Sequence, residues 1–223
     1  MPIPIHLAVG WLMVLVTLGL VGFWVPPSEE VIGESYLIFF FHFLSAINCL
    51  NLFLLAGVFS GLYLVRKKPE LDLLGAAGVE VGLLATAVTL VTGSIWARAA
   101  WGVWWAVDDP RLMSVAIMFL TYLGYWALRS SLEEPLKRAQ FCAVFGVIAA
   151  VNVPVVYYAI RVFGQSNHPM EVVMDEFSMK ATRWFGALSF LILYTALWRM
   201  KFRVLRAREA TRRLEERFAE ASI

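Results

Sequence analysis

The chain has 223 residues, 60% of them hydrophobic and 16% charged, with a formal net charge of +2. Soluble domains hold about 45–50% apolar residues, so a chain of this size has too little polar surface to cover a water-soluble core. The mean hydropathy of +0.70 names the bilayer as the solvent, and the net charge is too small to argue for nucleic acid as a partner.

The first apolar run, about 6–25, lies in "MPIPIHLAVGWLMVLVTLGLVGFW". It lacks Lys or Arg before its core and a small-residue cleavage site, and reads as a retained helix rather than a cleaved signal peptide. Further runs follow at about 36–65, 72–97, 112–129, 139–163 and 183–202. About 20 apolar residues cross the hydrocarbon core. The expected fold is therefore all-α and polytopic, with six transmembrane helices within 1–202 and a charged tail at 203–223. The second run is longer than a crossing needs and is expected to project or tilt. The tail, "RMKFRVLRAREATRRLEERFAEAS", alternates basic and acidic residues around apolar ones and reads as an amphipathic helix attracted to anionic lipid.

Loop charges give the direction. Arg66, Lys67 and Lys68 follow the second run; Arg129, Lys137 and Arg138 follow the fourth; most of the remaining basic residues lie in the tail. Basic loops stay in the cytoplasm, so both termini are expected inside. The segment at 96–111 and the loop after the fifth run then face outward. Trp24, Trp96, Trp101, Trp104, Trp105 and Trp184 gather near that outer boundary, whereas Trp11, Trp126 and Trp198 do not.

The outward segment reads "WGVWWAVDDPR" from Trp101 to Arg111. As a helix over 98–108 it would place Trp101, Trp104, Trp105 and Asp108 on one face, with Pro110 ending the element. An indole face of this kind serves either as an interfacial anchor or as a platform for a flat apolar ligand, with Asp108 and Arg111 at its edge. Two of the three histidines, His42 and His168, fall on the same outward side. A lone intramembrane histidine is commonly a hydrogen-bonding residue between helices. Two neutral imidazoles from opposite sides can instead ligate a haem iron axially, with Arg98, Arg111 and Arg183 as cations for the propionates.

Together these residues resemble the cytochrome c maturation protein C (CcmC) family of haem handlers. The resemblance covers essentially the whole chain. Its most specific part is "LVTGSIWARAAWGVWWAVDDPRL", similar to the family pattern WGxWWxWDPRL, with "VNVPVVYY" in the fifth run in support. Val107 stands where the pattern has tryptophan, one residue is inserted at Asp108–Asp109, and His42 is followed by "FLSAI" without the Val-Pro common in relatives.

The resemblance implies binding of haem b at the outer face of a bacterial inner membrane and its presentation to a periplasmic haem chaperone in c-type cytochrome biogenesis. An ABC-type ATPase complex and a small single-span membrane protein would assist. His42 and His168 would be the axial iron ligands, and Trp101, Gly102, Trp104, Trp105, Asp108 and Arg111 the platform. The competing readings are a permanent b-type electron-transfer protein, which would place its histidine pairs deep in the bilayer, and a small-molecule transporter, which would show broken helices or repeated halves.

Other features are weaker. The sequence holds no phosphate-binding Gly loop, no HExxH and no nucleophile triad, so ATPase or hydrolase chemistry is not expected of it. Cys49 and Cys142 lie in apolar runs without a CxxC and read as buried thiols. Asn48 and Asn152 read as interhelical hydrogen-bonding residues. Glu80, inside the third run, is either a functional carboxylate or one bonded to a neighbouring helix.

Overall fold

A computed structural model describes residues 4–26, 37–163, 168, 174 and 176–221. The expected start of the second span at 36, most of the loop after the fifth and the last residues of the tail lie outside these. The described residues form seven helices and no strand. They are α1 (Ile5–Phe23), α2 (Phe39–Arg66), α3 (Pro69–Trp101), α4 (Pro110–Ser131), α5 (Pro135–Ala150), α6 (Asn152–Phe163) and α7 (Phe177–Ala221). Five crossings, α1 to α4 and the stretch Pro135–Ala159, are long and apolar enough to span a membrane. The protein is an all-helical polytopic membrane protein.

Prolines set the helix starts. Pro69, Pro110 and Pro135 each occupy the first turn of their helix, where the fixed φ suits the helix and the missing N–H is no loss. Lys67 closes α2 in the left-handed conformation, at φ 53°. The chain therefore reverses within two residues, and α3 returns along α2. The seam between them is made close by small residues: a Cβ on Gly78 would meet the Leu52 carbonyl at 3.2 Å and the Ala56 Cβ at 3.3 Å. Without a hydrophobic drive between helices in lipid, such close backbone packing supplies much of the adhesion.

Three expectations need adjustment. The fifth run is not one helix, because Pro154 removes a backbone donor and its ring clashes with the preceding turn; the break falls at Val151. The sixth expected span, 183–202, is part of α7, whose 45 residues extend about 68 Å, against a hydrocarbon core of about 30 Å. Span and tail are thus one continuous helix. Asn48 donates to the Leu44 carbonyl of its own helix, not across helices, whereas Asn152 does reach Thr121 on α4, at 3.4 Å. Cys49 and Cys142 are buried free thiols.

The core is shared by α2 to α7. Phe53 and Tyr122 stack with ring centroids 3.6 Å apart, and the buried Tyr122 hydroxyl donates to the Phe53 carbonyl. Because α2, α3 and α4 alternate in direction, the start of α2, the end of α3 and the start of α4 meet at one end of the bundle. The basic turns after α2 and α4 gather at the other, where α7 carries its tail.

Candidate functional site

His42 sits in the first turn of α2, nearer the helix end than the apolar run alone implies. Its Nδ1 lies 3.0 Å from the Thr89 carbonyl and 3.3 Å from the Thr92 hydroxyl of α3. A carbonyl only accepts, so Nδ1 carries the proton and donates. In the neutral ring the Nε2 lone pair is then free for a ligand. The ring lies flat against α3 because residue 93 is glycine: a Cβ there would meet His42 Cε1 at 2.8 Å and Nδ1 at 3.2 Å. Thr89, Thr92 and Gly93 therefore fix both the tautomer and the position of this imidazole.

The second imidazole faces the first. The His168 ring centroid is 6.1 Å from that of His42, with the planes inclined by 39°. Two indoles flank it: Trp96 at 6.0 Å and Trp101 at 6.5 Å, themselves packed edge to face at 5.0 Å. On its other edge, Arg111 Nη1 donates to His168 Nδ1 at 3.1 Å. A guanidinium cannot accept, so this nitrogen of His168 is the acceptor.

The tryptophan segment departs from the expected helix. α3 ends at Trp101, and Gly102 follows at φ +73°, a left-handed C-terminal conformation that glycine adopts freely. Residues 102–109 are non-helical. Trp101, Trp104, Trp105 and Asp108 therefore do not share a helical face. Trp101 turns toward His168, whereas Trp104 is 60% exposed and Trp105 half-buried. Arg98 reaches along the last turn to donate to the Gly102 carbonyl. Pro110 begins α4 instead of ending the previous helix.

The carboxylate that organises the site is Asp109, not Asp108. Asp109 is 1% exposed. Its Oδ1 accepts from the backbone N–H groups of Arg111 at 3.0 Å and Leu112 at 3.1 Å, capping α4. Its Oδ2 accepts from the His168 backbone N–H at 3.3 Å. One side chain thus starts a helix, sets Arg111 in its first turn and tethers the loop that carries His168. Asp108 is exposed. The "Asp-Pro" helix start is the sequence signal that could have singled out Asp109 over Asp108; Trp96 was visible only as part of the boundary belt. Arg183 lies over the Trp184 ring, 5.3 Å from its centroid, and is not among the groups around the two histidines.

Several known proteins resemble this chain in sequence. The family model for heme exporter protein C (CcmC) matches residues 2–221. Heme exporter protein C of Paracoccus denitrificans is 35% identical over 150 residues, 67% of this chain and 62% of that protein. The Escherichia coli K12 protein of the same name is 29% identical over 202 residues, 89% of this chain and 78% of that protein. A putative cytochrome c biosynthesis ccmC-like mitochondrial protein of Marchantia polymorpha is 34% identical over 149 residues, 67% of this chain and 62% of that protein. The matched part thus spans about three fifths of the Paracoccus and Marchantia proteins. The match to the family model runs through the histidine pair, the tryptophan segment and the tail alike, and the chain belongs to the heme exporter protein C family.

Proposed function

We propose that this protein binds haem between His42 and His168 and hands it on for c-type cytochrome assembly. The observation that carries this is the separation of the two rings. Two metal–imidazole bonds of about 2 Å, plus about 1 Å from each nitrogen to its ring centre, require roughly 6 Å between centroids. The rings are 6.1 Å apart. Among the described residues no group of three His, Cys, Asp or Glu is placed to hold a metal ion. Two imidazoles alone suit a metal that brings its other ligands with it, as haem iron brings the porphyrin nitrogens.

The residues divide the work. His42, with Nδ1 bonded to the Thr89 carbonyl, offers Nε2 as a ligand without rearrangement. His168 has its Nδ1 lone pair engaged by Arg111, so its other ring nitrogen carries the proton in the neutral form. Iron ligation by His168 through Nδ1 therefore requires Arg111 to withdraw from that nitrogen, and a guanidinium beside the iron is suited to a haem propionate. Trp96 and Trp101 supply aromatic surface beside the metal, while exposed Trp104 borders the path by which haem leaves. The positive-inside rule puts this end of the bundle in the periplasm of a bacterial inner membrane. The recipient is a periplasmic haem chaperone. An ABC-type ATPase complex and a small single-span membrane protein assist, as membership of the family implies.

Absorption spectra of the purified protein test the assignment. The parent should show a b-type, bis-histidine haem spectrum. His42→Ala and His168→Ala should each lose the six-coordinate low-spin signature and retain less haem. Unchanged spectra in both variants would overturn the ligand assignment, and failure of the parent to take up added haem would overturn the function.

A further inference from the structure

A cavity of about 270 Å³ opens at the tail end of the bundle, between α3, α4, α5 and α7 and remote from the histidines. Its charged lining is Arg129, Arg138, Arg208, Arg212, Glu80 and Glu209. Two of these charges are already neutralised. Arg129 forms a two-armed pair with Asp72, at 2.8 and 2.7 Å, and Glu80 is held by Lys201 of α7. That leaves Glu209 as the carboxylate in the lining for Arg138, Arg208 and Arg212, with Glu216, outside the lining, also accepting from Arg212.

Glu209 is oversubscribed. It accepts from Arg138 at 3.5 Å, from Arg212 at 2.7 and 3.3 Å, and from Arg213 at 3.2 Å. A carboxylate offers about four acceptor sites and each guanidinium five N–H donors. Arg208 makes no hydrogen bond or ion pair with any described residue. Arg208 is exposed at the cavity, while Arg138 and Arg212, already bonded to carboxylates, are 23% and 30% exposed. Positive charge in excess at this mouth suits an anion with several acceptor oxygens.

We propose that the cavity binds the phosphate of an anionic phospholipid headgroup. Phosphate oxygens match the forked geometry of the spare guanidinium donors. The surroundings favour a lipid over a free ion. The lining includes Trp126, 51% exposed on α4, an indole of the kind that settles at headgroup level. Below it Leu123 and Leu120 continue the exposed apolar face of α4, along which acyl chains can lie. Basic pockets between membrane helices bind anionic headgroups on this principle. A bound lipid would bridge α5 to α7 where the protein's own carboxylates are too few.

The test uses the full-length protein, released from phosphatidylglycerol–phosphatidylcholine nanodiscs and weighed by native mass spectrometry. The wild type should retain phosphatidylglycerol in preference to phosphatidylcholine. Arg208→Gln leaves every described ion pair intact and should lower that preference about fivefold, with a similar further factor in Arg138→Gln/Arg208→Gln. Arg203→Gln, on the same helix but outside the cavity, should leave the preference unchanged. Equal retention of both lipids by the wild type, or an undiminished preference in the double variant, would overturn the proposal. A lipid-free protein stabilised by inorganic phosphate, with phosphate displacing phosphatidylglycerol, would assign the site to free phosphate and overturn the lipid. The measurement involves no haem, so its outcome is independent of the histidine assignment.

Discussion

The two ends of this bundle hold their polar groups by different means. At the tail end, opposite charges are paired across helices: Asp72 with Arg129, Glu80 with Lys201, and Glu209 with Arg138. Trp198 adds a hydrogen bond to the Leu74 carbonyl at 3.0 Å. These contacts fasten α7 to α3 and α5, and α3 to α4. At the histidine end the described ties include side chain to backbone and single donor to single acceptor: His42 to Thr89, Arg111 to His168, Asp109 to the His168 backbone. Charge pairing resists displacement, because a broken pair leaves an uncompensated ion. A single hydrogen bond to an imidazole can be exchanged for a metal bond. The contrast suits a protein fixed at one end and open to ligand exchange at the other.

The strongest way to break this contrast is to unpair the tail end. Asp72 and Arg129 have side-chain exposures of 9% and 12%. Arg129→Leu leaves the Asp72 carboxylate buried without its cation and should cost about 3–5 kcal/mol, read as a lower melting temperature in detergent. Asp72→Asn/Arg129→Leu removes both charges and should recover most of that loss. In either variant the haem spectrum at low temperature should match the parent. Loss of iron ligation in the double variant would mean the two ends are not separable.

The next largest effect should come from the seat of His42. Gly93→Ala sets a methyl group 2.8 Å from His42 Cε1, so the ring must leave the Thr89 carbonyl. Disturbing the group that orients a metal-binding histidine typically costs 10–100-fold in affinity, and about that loss of haem affinity is expected. Ser94→Ala, one residue along the same helix, should have no such effect. Equal haem titrations for the two variants would show that the α3 seat does not position the imidazole.

How much of this was legible in the sequence follows from which signals are local. The apolar runs sufficed for the spans, since length and composition decide whether a helix crosses lipid. The two histidines and Arg111 could be named because those residue types carry chemistry that few others can. Periodicity failed in the tryptophan segment: "WGVWW" satisfies a helical spacing, but Gly102 ends α3 in a left-handed conformation that spacing cannot reveal. Pro110 was misread because proline stops a helix from within yet starts one from its first turn, and the preceding Asp109 decides between the two. Gly93 and Thr89 were invisible as site residues. Their role depends on the register of α3 against α2, which one sequence does not contain.

Asp109 sharpens the comparison further. Asp109→Ala removes the α4 cap, worth about 1 kcal/mol, and also frees the backbone of His168. A modest fall in melting temperature should therefore accompany a fall in haem retention. Asp109→Asn keeps an oxygen for the cap and should preserve more of both. Asp108→Ala, at an exposed position, should change neither. If Asp108→Ala proved the more harmful, the organising carboxylate would have been wrongly assigned between the neighbours.

The smallest expected effect is a pH dependence confined to the tail. Burial opposes ionisation of Glu209, yet hydrogen bonds from Arg212 and Arg213 outweigh it and hold the carboxyl below its ordinary value of 4.5. A carboxyl whose pKa is lower folded than unfolded stabilises the fold while ionised. Its contribution is complete above the ordinary value and disappears as the pH falls through the lower, folded one. Glu209→Gln should therefore loosen the tail at neutral pH, seen as faster proteolysis near Arg206 and Arg208. The difference from the parent should shrink on acidification, because protonation makes the parent resemble the variant. A difference that persisted or grew in acid would mean that the hydrogen-bonding shape of Glu209, and not its charge, holds the tail, and the contrast between a charge-paired end and an exchangeable end would no longer extend into α7.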